Sequence, residues 1–327
     1  MKIIAPFSGG KDSQATLLYA VEKYGLENVI AVFCDTKWEH DITYAHVKYV
    51  IEKLGVTFFN LQSKVYNGMV DLAIKKKRFP ASKSKFCTTE LKVIPMIDFV
   101  LEQKENLIIL QGIRSDESES RSKMNEECRY FKYYFEPYQT NSMIIENLSK
   151  KDKLSLAQKN KLEKAIKRLA KGKEDEKYHT YRKEEVFEWC KNYTDDILRP
   201  FFNASANEVI TYSLNRGYKI NPLYFKGFSR VGCFPCIMCT QKEIDLIIKD
   251  FPDIVKKVNE AENKAKSTFF KPDRVPKRYR NQITDNGVKY TSFQDVVNYR
   301  KDKNATGDLF ENDLELNTCK SIYMICE

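Results

Sequence analysis

The chain predicts an α/β fold with a doubly wound, mostly parallel, Rossmann-like sheet, and three observations carry that expectation. Apolar runs without polar interruption recur at 3–7, 29–34 and 107–110, as strands covered on both faces should. Stretches with helical spacing separate them, which implies right-handed crossovers between parallel neighbours. Each run is followed at its carboxyl end by a polar or glycine-bearing turn, where open α/β sheets collect their ligands.

Taken in order, the run Ile3 to Phe7 is the first strand, and Gln14 to Tyr24 reads as the helix after it. Val29 to Cys34 is the second strand, with Asp35 and Thr36 at its carboxyl end. A helix of about three turns follows and stops at Gly55, because glycine readily takes the left-handed cap. Val56 to Leu61 is a short third strand. Helical patterns at 68–77 and 88–103 precede the strand Leu107 to Leu110, which runs into Gln111 and Gly112. These elements place residues 1–140 in a nucleotide-binding core. From 141 to 180 the chain is crowded with lysine, and Leu162, Ile166 and Leu169 recur at helical spacing, so a helical insertion is expected there. Its plain reading is a solvated surface; the other is a contact to a nucleic-acid backbone. Residues 181–265 return to core composition, with helices at 207–216 and 243–264, the second interrupted at Phe251-Pro252. Residues 266–327 read as a basic, irregular extension ending in the pair Cys319 and Cys326.

Hydrophobic residues at 42% and charged ones at 31% of 327 residues describe a globular chain able to bury a full core. No apolar run approaches the roughly 18 residues of a membrane span, and the N-terminus lacks signal-peptide features, so a cytoplasmic place is expected. There, 9 cysteines are better suited to metal binding or chemistry than to disulfides. A net charge of +10 favours an anionic partner.

The segment Ser8-Gly9-Gly10-Lys11-Asp12-Ser13 combines adjacent glycines, a lysine and two hydroxyls between a strand and a helix. Backbone can approach an anion closely there, and the helix start supplies unpaired N–H groups and the positive end of its dipole. Its spacing fits neither the Walker loop nor the dinucleotide fingerprint. Cys233, Cys236 and Cys239 stand two residues apart in a turn, a spacing that lets thiolates reach one ion or cluster. Cys319 and Cys326 could complete a four-thiolate site. Cys239 or Cys87 could take the place of one of them, and thiolate spacing alone does not separate iron from zinc.

The loop Ser8 to Ser13 resembles the pyrophosphate-binding loop of the adenine-nucleotide alpha hydrolase superfamily, in the branch of phosphoadenosine-phosphosulfate (PAPS) reductase. Three further stretches are similar to that branch in the right order: Phe86-Cys87-Thr88-Thr89-Glu90-Leu91-Lys92, Gly112-Ile113-Arg114 continuing to Arg121, and Asn221-Pro222-Leu223-Tyr224 continuing to Cys236. The resemblance implies that Ser8, Gly9, Gly10, Lys11, Asp12 and Ser13 hold nucleotide phosphates, with Gly112 beside them. Asp35 and Thr36 would lie by the ribose or adenine. Arg114 and Arg121 would face the departing group, with Lys92 a second cation. Lys11, Asp12, Arg114 and Arg121 would be the catalytic set. A Cys-x-x-Cys near Cys233 is shared with iron-sulfur adenylylsulfate reductases, implying a [4Fe-4S] cluster with Zn2+ as the alternative, although Phe86 replaces one member of their Cys-Cys pair.

The tail 313–327 lacks the Glu-Cys-Gly-like segment of phosphosulfate reductases. The resemblance therefore implies an ATP pyrophosphatase that uses Mg2+ in sulfur transfer or nucleic-acid modification. Its partners would be an adenine nucleotide, a DNA or RNA acceptor and a sulfur donor such as a cysteine desulfurase. A thiol-dependent reductase of PAPS or adenylylsulfate, and a non-catalytic nucleotide-binding subunit of a modification or defence complex, are the alternatives.

Overall fold

The computed structural model describes residues 1–82, 84–270, 274–283 and 289–306. Six strands form its central sheet: β1 (Lys2–Pro6), β2 (Val29–Cys34), β3 (Thr57–Leu61), β4 (Leu107–Leu110), β5 (Glu127–Arg129) and β6 (Asp195–Leu198). They lie in the order β3-β2-β1-β4-β6-β5. All neighbours pair in parallel except β5, which runs antiparallel to β6 at the edge. The expected doubly wound sheet is therefore present. Because β1 sits between β2 and β4, the chain winds outward to one side, returns and continues on the other. The crevice at that switch lies outside the carboxyl ends of β1 and β4.

The central strands are short apolar runs, and Ile3, Ile4, Ala5, Ala31, Val32, Leu107 and Ile109 are almost wholly buried. Helix α1 (Lys11–Tyr24) packs Leu17 and Ala20 onto one face, joined by Val47 and Val50 of α2 (Asp41–Leu54). Gly55 ends α2 in the left-handed conformation. After α3 (Met69–Lys76), the segment from Phe86 makes a π-helical turn over Thr89–Val93 before α4 (Ile94–Glu102), which covers the opposite face.

The insertion is a helical hairpin of α5 (Asn141–Ser149) and α6 (Leu156–Leu169). Ser155 and Gln158 form a capping box at the start of α6. The return segment closes onto the hairpin's base, where Tyr138 N donates to Lys177 O and Lys177 N to Gln139 O, each at 2.9 Å. The chain then forms α7 (Lys183–Asn192), β6 and α8 (Ala206–Asn215).

The interruption at Phe251-Pro252 separates α9 (Gln241–Asp250) from α10 (Pro252–Ala265). The stretch after Ser267 differs from the irregular extension expected: it contains helix α11 (Phe293–Thr306). Phe293, Val296 and Val297 bury themselves with Trp38, Leu72, Leu91, Ile244 and Val258 in a second core, and Arg300 pairs with Asp245 of α9 at 2.5 Å. The basic residues that suggested a loose tail flank a packed unit. Cys319 and Cys326 lie outside the described residues.

Candidate active site

At the end of β1 the chain turns through Gly9, whose φ of 77° is a left-handed conformation open to glycine. A side chain there would also strike Thr43 Cγ2 at 2.9 Å. Ser13 braces the turn: its Oγ accepts from Ser8 N at 3.2 Å and donates to Gly10 O at 3.0 Å. Among the described residues, the amides of Gly9, Gly10, Asp12 and Ser13 donate to no acceptor. The start of α1 therefore presents open N–H groups and a positive dipole end, the arrangement an anion requires.

Two distant segments lock this loop. Asn221 Nδ2 donates to Gly9 O at 3.1 Å and to Thr43 Oγ1 at 3.2 Å. The buried Tyr224 hydroxyl accepts from Lys11 N at 3.1 Å. Gly112 presses from the end of β4 so closely that a Cβ would lie 2.7 Å from Asp12 C and from Ser13 Cα and N. Only glycine allows the two backbones to meet there.

The cations converge on Asp12. Lys11 Nζ lies 3.2 Å from its carboxylate, and Arg114 Nε donates to Asp12 Oδ1 at 2.5 Å. Arg114 also reaches Asp116 at 2.5 Å. Burial alone would lower the guanidinium's pKa, but the two carboxylates outweigh it and hold it above its ordinary value. Arg121 pairs with Glu117 of its own turn, as a surface arginine would, and yet its charge also feels Asp12, Arg230 and Arg114. Arg230, exposed on the segment after Tyr224, is a cation of this wall that sequence reasoning did not single out.

Asp35 at the end of β2 accepts from Lys37 N at 2.8 Å, Tyr44 Oη at 2.7 Å and Gln62 Nε2 at 3.0 Å. Thr36 Oγ1 donates to the buried Glu39 at 2.7 Å, and Tyr44 reaches the same carboxylate at 3.1 Å. This pair forms a built polar wall at the next strand end, where the resemblance places ribose or adenine. Glu39, Tyr44 and Gln62 were missed because nothing in their local pattern marks them.

Lys92 stands elsewhere. The π-helical turn presents it to Cys233, Glu39, Cys34 and Cys87, and ionisation of Cys233 first, then of Glu39, Cys34 and Cys87, raises its pKa while burial opposes them. Burial pushes the Cys233 thiol up to about 11, against the pull of Lys92. Burial likewise raises Cys34 to about 11 and Cys239 to about 12. Cys233 Sγ lies 3.6 Å from Thr36 Oγ1 and 3.7 Å from Glu39 Oε1. Cys236 Sγ instead accepts from Met238 N at 3.4 Å, and Cys239 is buried in the second core.

Cys236 acts electrostatically on Cys87, Cys233 and Cys239, so these thiols share one neighbourhood. Among the described residues no group of three or more His, Cys, Asp or Glu is arranged to hold a metal ion. A four-thiolate site completed by Cys319 and Cys326 lies outside the described residues.

Fold and site define a class, a doubly wound α/β domain with a glycine turn and open amides at the switch point of its sheet. Residues 2–239 match the phosphoadenosine phosphosulfate reductase domain, and the chain belongs to that family. Membership supports adenine-nucleotide binding. An uncharacterized 37.8 kDa protein of Escherichia phage 186 is 24% identical, with 99% of this chain and 96% of that protein covered. An uncharacterized protein of Methanocaldococcus jannaschii is 25% identical over 78% of this chain, which spans 40% of its length. Among solved structures, a PAPS reductase from Candida auris in a phosphate complex is 13% identical with a TM-score of 0.41, covering 72% of this chain and 83% of the other. The Candida glabrata FMN adenylyltransferase with FAD and pyrophosphate is 14% identical, with a TM-score of 0.37 and coverage of 71% and 55%. Among the described residues no helix is long and apolar enough to cross a membrane.

Proposed function

We propose that the chain is an ATP pyrophosphatase that cleaves between the α and β phosphates and activates an acceptor for sulfur transfer or nucleic-acid modification. The observation that carries this reading is the meeting of open loop amides with Lys11, Arg114, Arg121 and Arg230 at one strand end. In such a site the leaving pyrophosphate gathers charge, and preorganised N–H donors and cations stabilise that charge without covalent work by the protein. Lys11 and the amides of Gly9 and Gly10 would hold the pyrophosphate. Arg114, oriented by Asp12 and Asp116, would present its remaining N–H groups to the α-phosphate. The wall of Asp35, Thr36, Glu39 and Tyr44 would receive the nucleoside. Magnesium would enter with ATP as part of the substrate, since it commonly binds through phosphates with few protein carboxylates.

A phosphosulfate reductase needs a reactive thiolate. Burial raises the pKa of Cys34, Cys87, Cys233 and Cys239, which does not favour these four as the thiolate, and Cys319 and Cys326 lie outside the described residues. Labelled ATP incubated with magnesium, with and without DNA or RNA, tests the proposal. Release of pyrophosphate supports it, and ATP recovered intact under every condition overturns it.

A further inference from the structure

The helical hairpin is strongly basic. Residues 141–180 contain 11 basic residues against 6 acidic ones, a net of +5 within a total of +10. On α6, Lys164, Lys167 and Arg168 with Asn160 and Glu163, and Lys171 just beyond its end, line a surface hollow of about 350 Å3. Lys167 pairs with Glu163 and Arg168 with Asp175, whereas Lys164 and Lys171 have no acidic partner among the described residues. A row of unpaired lysines along a helix matches the repeat of a phosphate backbone.

Beside the hairpin's base lies a second feature. Tyr133 and Tyr138 are 46% and 47% exposed, far more than aromatic rings buried for packing. Their rings enclose that of His179, at 6.0 and 5.2 Å between centroids. An exposed aromatic cluster can stack a base or cage a cation. The net positive charge beside it disfavours a cation and favours an anionic strand with unstacked bases.

The hairpin also lies near the turn that carries Arg121. Lys151 acts on Glu119, and Lys123 on Glu146 of α5, and residues 119–123 form the turn that carries Arg121.

We propose that this face binds single-stranded nucleic acid, with Lys164 and Lys171 on the backbone and Tyr133 and Tyr138 stacking bases. The inference rests on the proposed acceptor class and specifies where and in what form the acceptor docks. Full-length protein is titrated with fluorescent oligo(dT) and oligo(U), and with duplexes of equal length, at several salt concentrations. The single strands should bind more tightly than duplexes, and the DNA and RNA arms identify which of the two is preferred. Lys164→Glu/Lys171→Glu should weaken binding and flatten its salt dependence by about 0.7 in slope for each phosphate that is no longer neutralised. Tyr133→Leu/Tyr138→Leu, which keeps apolar bulk, should weaken binding by roughly five- to a hundredfold per stacked base. Circular dichroism and ATP binding should remain as in the parent for both variants. Wild-type affinity in the lysine variant, duplexes bound as tightly as strands, or no binding by the parent would each overturn the proposal. Strand binding without pyrophosphate release would leave the surface standing and remove the proposed activity, so the two failures are distinct.

Discussion

Arg114 and Asp12 lie 102 positions apart, yet the Nε of one donates to the Oδ1 of the other at 2.5 Å in a setting where both are largely buried. This hydrogen bond ties the end of β4 to the first turn of α1. It also orients the guanidinium, so that the group that would meet the nucleotide is fixed before the nucleotide arrives. Breaking one partner of a buried pair leaves the other charge uncompensated, with penalties of about 3–5 kcal/mol.

Arg114→Ala should therefore lower stability by about 3 kcal/mol in denaturant unfolding. It should also reduce pyrophosphate release by roughly a hundredfold, as the loss of one preorganised donor does. Arg114→Lys should restore part of the stability and little of the activity, because an ammonium cannot hold Asp12 and Asp116 as a planar fork does. Equal activity in the lysine variant would show that charge alone matters.

Gly112→Ala tests the loop by shape. The added methyl would lie 2.7 Å from backbone atoms of Asp12 and Ser13, which no side-chain rotation relieves. ATP affinity, read by calorimetry, should fall at least tenfold while far-ultraviolet circular dichroism stays unchanged. Unaltered affinity would mean that the phosphate does not sit on this loop.

The thiols give a third test. With Cys34, Cys233 and Cys239 pushed up to about 11, 11 and 12 by burial, the thiolate fraction at neutral pH is below about one in a thousand. Alkylation of the native protein followed by peptide mass spectrometry should leave these three unmodified at times that label an unfolded control. Rapid alkylation of Cys233 would revive the thiol-dependent reductase.

What the sequence made legible was local. β2 and β4 are uninterrupted apolar runs, and the loop proposed to hold phosphate is marked by adjacent glycines and a lysine within six residues. β6 was not legible, because Asp195 and Asp196 break the apolar pattern; Asp195 is buried only by virtue of accepting from Phe131 N at 2.6 Å and pairing with Arg129. In α11, Phe293, Val296 and Val297 follow helical spacing, but the next core-facing position is Arg300, whose partner Asp245 belongs to another helix. At the site, Tyr224 and Asn221 act on Lys11 and Gly9 across more than 200 positions. Neighbouring residues carry no mark of such long-range pairing. The resemblance supplied those segments, and the geometry supplies the reason for them. The cysteine spacing suggested convergence on an ion, and among the described residues no group of three or more His, Cys, Asp or Glu is arranged to hold one.

The second core makes stability depend on pH through Glu262. This buried carboxylate of α10 accepts from Phe269 N at 2.6 Å and from Phe293 N at 2.9 Å, joining the end of α10 to the start of α11. Burial raises its pKa from 4.5 to about 7; the two N–H donors oppose the rise and Asp295 adds to it. Between those values the folded state holds a proton that the unfolded state has released, so stability falls as pH climbs from about 4.5 to about 7. The change across that window is on the order of 3 kcal/mol. Glu262→Gln keeps a carbonyl able to accept from Phe269 and Phe293 but does not titrate. Its unfolding free energy, measured in urea from pH 5 to pH 8, should change less with pH than the parent's and exceed it at the upper end. Parallel pH profiles for the two proteins would place the titrating group elsewhere.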